Sequence, residues 1–139
     1  MERKYFDLLS YFKRQPLSLL LIAGIWIVCM IPVPETPLSD VAFIDKWTHL
    51  TMYGVLTLVI ILEYAFSHVA INWKRLVLFG VMAPIAMGGL VELAQAYLTG
   101  GTRSGEWLDF AANSTGVLLG TVIGIPLALL LLSRKNKDD

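Results

Sequence analysis

Residues 76–98 read LVLFGVMAPIAMGGLVELAQAYL. This stretch has the length and composition of a membrane-crossing helix, which takes about 20 mostly apolar residues. Pro84 and the Gly88–Gly89 pair do not break that reading, because membrane helices tolerate both where neighbours satisfy the freed backbone groups. Glu92 is the only charged residue in the run. A charge in mid-span costs about 2.5–3.5 kcal/mol on insertion scales. Glu92 therefore needs a partner or a proton.

Three further apolar runs flank this one. The first spans 17–31, preceded by Pro16 and followed by Pro32 and Pro34. It is short, and an extension back through Tyr11 and Phe12 would lengthen it. The second spans 48–66, and the last spans 108–132 with Pro126 inside it. The fold class expected is all-α: a polytopic membrane protein with four transmembrane helices in a compact bundle, a single domain over residues 1–139. Composition agrees. The 139 residues are 56% hydrophobic and 16% charged, against about 45–50% and about 25% in soluble domains. Net charge is zero, so no basic field draws nucleic acid, and none is expected as a partner. The single cysteine, Cys29, excludes an intrachain disulfide. The residues before it, Trp26, Ile27 and Val28, do not suit lipoprotein processing. No small-x-small pattern follows the first run, so it reads as a retained helix, not a cleaved signal.

Lysine and arginine set the orientation. Of the 11 such residues, Arg3, Lys4, Lys13, Arg14, Lys74, Arg75, Arg134, Lys135 and Lys137 fall in the two tails and the loop between the second and third runs. Only Lys46 and Arg103 fall in the other two loops. Both termini are therefore expected in the cytoplasm, with 32–47 and 99–107 outside. Trp47 and Trp107 then sit at the interface, where amphipathic aromatics gather. Residues 5–12 are expected to lie on the cytoplasmic surface as a short interfacial helix.

Polar residues collect toward the outer ends of three runs. Asp45, His49 and Tyr53 are spaced by four and share a helical face, with Lys46 beside them. Glu92, Gln95 and Thr99 share another. Asp109 and Asn113 open the last run, with Arg103 and Glu106 in the loop before it. Each has a structural alternative. Asp45 and Asp109 suit helix N-termini, His49 suits a hydrogen-bonded packing role, and Arg103 could pair with Glu106 in the loop. For Glu92 the available partners are Arg103, Lys46 and His49. Glu63, toward the cytoplasmic end of its run, reads as structural. Gly116, Gly120 and Gly124 are spaced by four, which permits close helix approach. Packing inside the bundle is the expected use, with a homo-oligomer contact as the alternative.

Two segments resemble the signatures of the VanZ-like family of bacterial membrane proteins. One is Asp45-Lys46-Trp47-Thr48-His49-Leu50-Thr51-Met52-Tyr53-Gly54. The other is Glu92-Leu93-Ala94-Gln95, then Arg103, then Asp109-Phe110-Ala111-Ala112-Asn113-Ser114-Thr115-Gly116. The resemblance covers roughly residues 40–125. It implies a bacterial cytoplasmic (inner) membrane location and an association with resistance to the glycopeptide teicoplanin. It also implies a ligand-binding site of Asp45, Lys46, His49, Tyr53, Glu92, Gln95, Arg103, Asp109 and Asn113.

Three uses of such a site follow. It would bind a cell-envelope lipid or lipid-linked cell-wall precursor, with Lys46, Arg103 and His49 on phosphate or carboxylate. It would act as a transferase or hydrolase on such a molecule, with His49, Glu92 and Asp109 as candidate catalytic groups. Or, as an oligomer, it would relay protons or transport a solute through Glu92 and His49. Nucleophile signatures of the G-x-S-x-G type are absent from the sequence. One histidine with several carboxylates suits hydrogen bonding to a ligand better than zinc. No metal centre and no cofactor is expected.

Overall fold

The computed structural model describes residues 8–138. These residues form five helices: α1 (Leu8–Lys13), α2 (Pro16–Met30), α3 (Ile44–Ser67), α4 (Trp73–Leu98) and α5 (Trp107–Asp138). A short 3-10 turn, Pro37–Asp40, precedes α3. No strand occurs among the described residues.

Helices α3, α4 and α5 are long and apolar enough to cross a membrane. Helix α2 is 15 residues long, about 22 Å at 1.5 Å per residue, short of a hydrocarbon core of about 30 Å. It does not continue back through Tyr11 and Phe12, because the chain breaks at Gln15 (φ −130°, ψ 55°) before Pro16. Proline drives the preceding residue out of the helical region and starts a new helix at its own position. Tyr11 instead packs on Phe79, with ring centroids 4.8 Å apart. Of the expected interfacial helix over 5–12, residues 5–7 lie outside the described residues, as do Arg3 and Lys4 of the basic tail.

Helix α4 starts three residues earlier than its apolar run. It passes through a π-helical turn at Leu78–Met82. Pro84 accounts for this, since it has no N–H to offer the carbonyl of Gly80 and the ladder must shift locally. Helix α5 overruns its apolar segment at the C-terminal end, because no Pro or Gly follows Leu132 to break it.

Helices α3 and α5 pack along a shared seam. A β-carbon at Gly116 would overlap the Leu50 carbonyl oxygen. Gly120 and Gly124 continue the seam against Gly54, Thr57 and Ile61. The glycine stripe is thus used between two helices of one chain.

Exposure is inverted relative to a soluble protein. Asn113 is 0% exposed and His49 2%, whereas Leu20 is 72% exposed and Val122 70%. Polar groups inside and large aliphatics outside fit an apolar surrounding. One interior cluster is built on Ile61, Tyr64, Leu76 and Leu132, and the other on Ile25, Tyr53, Leu56, Val91 and Val117.

Glu63 is structural. Its carboxylate accepts the backbone N–H groups of Leu17 and Ser18, each at 2.9 Å, and the Ser18 hydroxyl at 2.6 Å. An anion from α3 thereby caps the N-terminus of α2, where free N–H groups and the helix dipole favour negative charge.

Candidate functional site

The start of α3, the end of α4 and the start of α5 meet at one end of the bundle. Antiparallel succession makes this unavoidable, since α4 must finish where α3 and α5 begin. Lys46 and His49 come from α3, Glu92 from α4, and Asp109 and Asn113 from α5.

Glu92 is 7% exposed. Its Oε1 accepts Asn113 Nδ2 at 3.1 Å, and its Oε2 accepts the backbone N–H of Glu106 at 3.1 Å. His49 Nδ1 lies 3.6 Å from Oε1, beyond good hydrogen-bond length. The ring's closer contact is Asn113 Oδ1, at 2.9 Å from Nδ1. Asn113 therefore bridges the carboxylate and the imidazole.

A second group lies beside it. Lys46 Nζ is 2.6 Å from Glu106 Oε2 and 3.1 Å from Asp109 Oδ1. The Lys46 ammonium holds the exposed Glu106 carboxyl below the usual carboxylate range, chiefly through this hydrogen bond. Lys46 thus ties α3 to the loop before α5, and the same loop supplies the N–H to Glu92. Gly105 makes the loop's approach possible, because a β-carbon there would overlap the Glu92 carbonyl oxygen.

The residues picked out in sequence divide into three groups. Lys46, His49, Glu92, Asp109 and Asn113 are brought together. Gln95 and Tyr53 are buried close by on separate contacts: Gln95 Nε2 donates to the Cys29 carbonyl at 3.0 Å, tying α4 to the last turn of α2. The Tyr53 hydroxyl and Gln95 Oε1 make no hydrogen bond among the described residues. Asp45 and Arg103 stand apart. Asp45 is exposed and its carboxylate has no partner among the described residues. The Arg103 side chain pairs with neither Glu92 nor Glu106. Its backbone N–H donates to Thr99 Oγ1 at 3.1 Å.

Sequence reasoning did not find the backbone N–H of Glu106 as a partner of Glu92. Side-chain types carry no signal for it. Gly105 was the available clue, a small residue next to the helix start.

An apolar groove of about 680 Å³ runs along the outside of α4 and α5. Leu90, Leu93, Tyr97, Trp107 and Phe110 line it, with Glu92 and Glu106 as its polar members. Among the described residues, no three His, Cys, Asp or Glu side chains converge as a metal-ion donor set.

Comparison of the chain with protein-family models, with curated proteins and with solved structures returns no match.

Proposed function

We propose that this is a VanZ-like protein of the bacterial cytoplasmic membrane that binds a cell-envelope lipid or lipid-linked cell-wall precursor. In this reading α2 also crosses the bilayer, both termini are cytoplasmic, and the polar cluster faces outward. The observation that carries the reading is the junction of the groove with Glu92. An apolar groove of about 680 Å³ has a buried, hydrogen-bonded carboxylate in its lining. Small-molecule sites have this character, mostly apolar with a few placed polar groups. The two signature segments support the family, and the Lys and Arg bias supports the orientation. Lys46 is engaged by two carboxylates, so recognition of an anionic headgroup falls to Arg103, and Glu92 and His49 meet hydroxyl or amide groups.

The test is lipid extraction and mass spectrometry of protein purified from membranes. The wild type is expected to retain one envelope lipid or precursor in excess over bulk lipid. Leu93→Trp, which fills the groove, and Glu92→Ala are each expected to lose it. The same lipid profile in all three proteins would overturn the reading. The link to glycopeptides is tested separately, by teicoplanin sensitivity of a deletion strain.

A transferase or hydrolase acting on the same class of molecule is the second reading. The contact between His49 Nδ1 and Asn113 Oδ1 favours it, since it leaves Nε2 as the basic nitrogen of a neutral ring. Retained biological activity in folded His49→Ala and Glu92→Ala proteins would rule it out.

A further inference from the structure

Asn113 lies between two groups that gain and lose protons, and its amide is fully buried. One end faces His49 Nδ1 at 2.9 Å and the other faces Glu92 Oε1 at 3.1 Å. A side-chain amide has an acceptor end and a donor end, so its two neighbours must present opposite characters. The other oxygen of Glu92 is fixed as an acceptor by the Glu106 N–H at 3.1 Å. Any proton on Glu92 therefore sits on Oε1, facing Asn113.

With the ring neutral, two arrangements satisfy every group. With Glu92 ionised, Oε1 accepts from Asn113 Nδ2. Asn113 Oδ1 then faces the ring, and His49 Nδ1 carries a proton. With Glu92 neutral, Oε1–H donates to Asn113 Oδ1. The amide is turned over, Nδ2 donates to His49 Nδ1, and that nitrogen carries no proton.

We propose that Asn113 is a positioning residue that passes the protonation state of Glu92 to His49, switching the neutral ring between its Nδ1–H and Nε2–H forms. One proton from water enters at Glu92 Oε1. The ring releases its Nδ1 proton to water and takes one at Nε2, so the ring's own count is unchanged and the cluster gains one. The surrounding ionisable groups do not bypass this route. Lys46 of α3, Asp109 of α5 and Glu106 of the loop pair with one another. Tyr53 of α3, Cys29 of α2 and Arg103 of the loop make no side-chain hydrogen bond to Glu92 or His49. The consequence is local and chemical: His49 Nε2 offers a lone pair when Glu92 is ionised and an N–H when it is neutral. That regulation bears on the proposed ligand site only through the ligand that meets Nε2.

The chain has two histidines, so nitrogen NMR of imidazole-labelled protein in a membrane mimic resolves the question. A His68→Gln variant isolates the His49 signals. Glu92→Gln mimics the neutral acid: its carbonyl takes the Glu106 N–H, and its NH₂ donates to Asn113. His49 Nδ1 is expected to be protonated in the wild type with Glu92 ionised and unprotonated in Glu92→Gln. A pH titration of the chain with its native Glu92 and Asn113, read only where the nitrogen shifts show the ring to be neutral, follows the same change without altering the cluster, so the test survives a variant that fails to fold. In Asn113→Leu the Nδ1 state is expected to be indifferent to Glu92→Gln. An Nδ1 state that stays constant through the titration and in Glu92→Gln overturns the proposal, as does a coupling that persists in Asn113→Leu. Lipid retention is read independently. Its absence with the coupling intact removes the proposed ligand and leaves this inference standing.

Discussion

Lys46 and Asn113 hold the polar end of the bundle together in different ways. Lys46 bridges Glu106 and Asp109 at 2.6 and 3.1 Å. Its ammonium lowers the Glu106 carboxyl below the usual range, through the hydrogen bond first and the charge second. A carboxyl lowered in the folded state adds stability that is present above its unfolded value and disappears as pH falls through the lowered one. Glu106 is half exposed, so the effect is small. The difference in melting temperature between wild type and Glu106→Gln is therefore expected to hold steady around neutral pH and vanish in acid. Asn113 is fully buried, and the penalty there is larger. Asn113→Leu strands His49 Nδ1 and Glu92 Oε1 in the interior and is expected to cost about 1–3 kcal/mol, measured by thermal unfolding in detergent. At this scale sequence reading reached the participants better than the pairings. The cost of an intramembrane charge singled out Glu92, but its three candidate partners were all side chains. Two of its actual bonds come from Asn113 and from a backbone N–H 14 residues further on. Backbone donors have no sequence signature, and Arg103, the most obvious counter-ion, makes no ion pair with Glu92.

Between elements, the α3–α5 seam and the capped start of α2 carry the architecture. Gly116→Ala drives a methyl group into the Leu50 carbonyl and is expected to destabilise by about 1–3 kcal/mol, as overpacking does. At Gly24 of α2, an added methyl group would have nothing within 4 Å. Gly24→Ala is therefore expected to be neutral or to gain up to about 1 kcal/mol from helix propensity. Equal losses in the two variants, read by the same unfolding assay, would mean the seam is not the critical contact. The glycine spacing was legible because helix periodicity puts Gly116, Gly120 and Gly124 on one face. What sequence left open was whether that face meets another copy or another helix of the same chain, since spacing says nothing about the partner. The long helices were legible from apolar runs, to within a few residues at each end except where α5 runs on past Leu132. Hydropathy alone extends the first run back to Tyr11 and Phe12. The break before Pro16 overrides it, because a proline acts on its predecessor's backbone whatever the polarity of the neighbours.

For the molecule as a whole, the buried polar cluster and the apolar exterior agree with the hydropathy of the chain. Crossing by α2 is the part that length alone does not establish, and it has a direct test. In a Cys29→Ser background, Lys13→Cys, Leu38→Cys and Lys137→Cys report three positions to a membrane-impermeant maleimide. With four crossings, only the cysteine at 38 is expected to label in intact cells, and those at 13 and 137 only after permeabilisation. Opposite sides for 13 and 137 would mean α2 does not cross. The order of the helices has a further consequence for the polar end of the bundle. The groups that satisfy His49 and Glu92, namely Asn113 and the Glu106 N–H, follow α3 and α4 in the chain. A chain truncated before Trp107 leaves the His49 imidazole and the Glu92 carboxylate without their Asn113 partner. Addition of α5 removes both liabilities at once, so the polar end of the bundle is satisfied only when the last helix is in place.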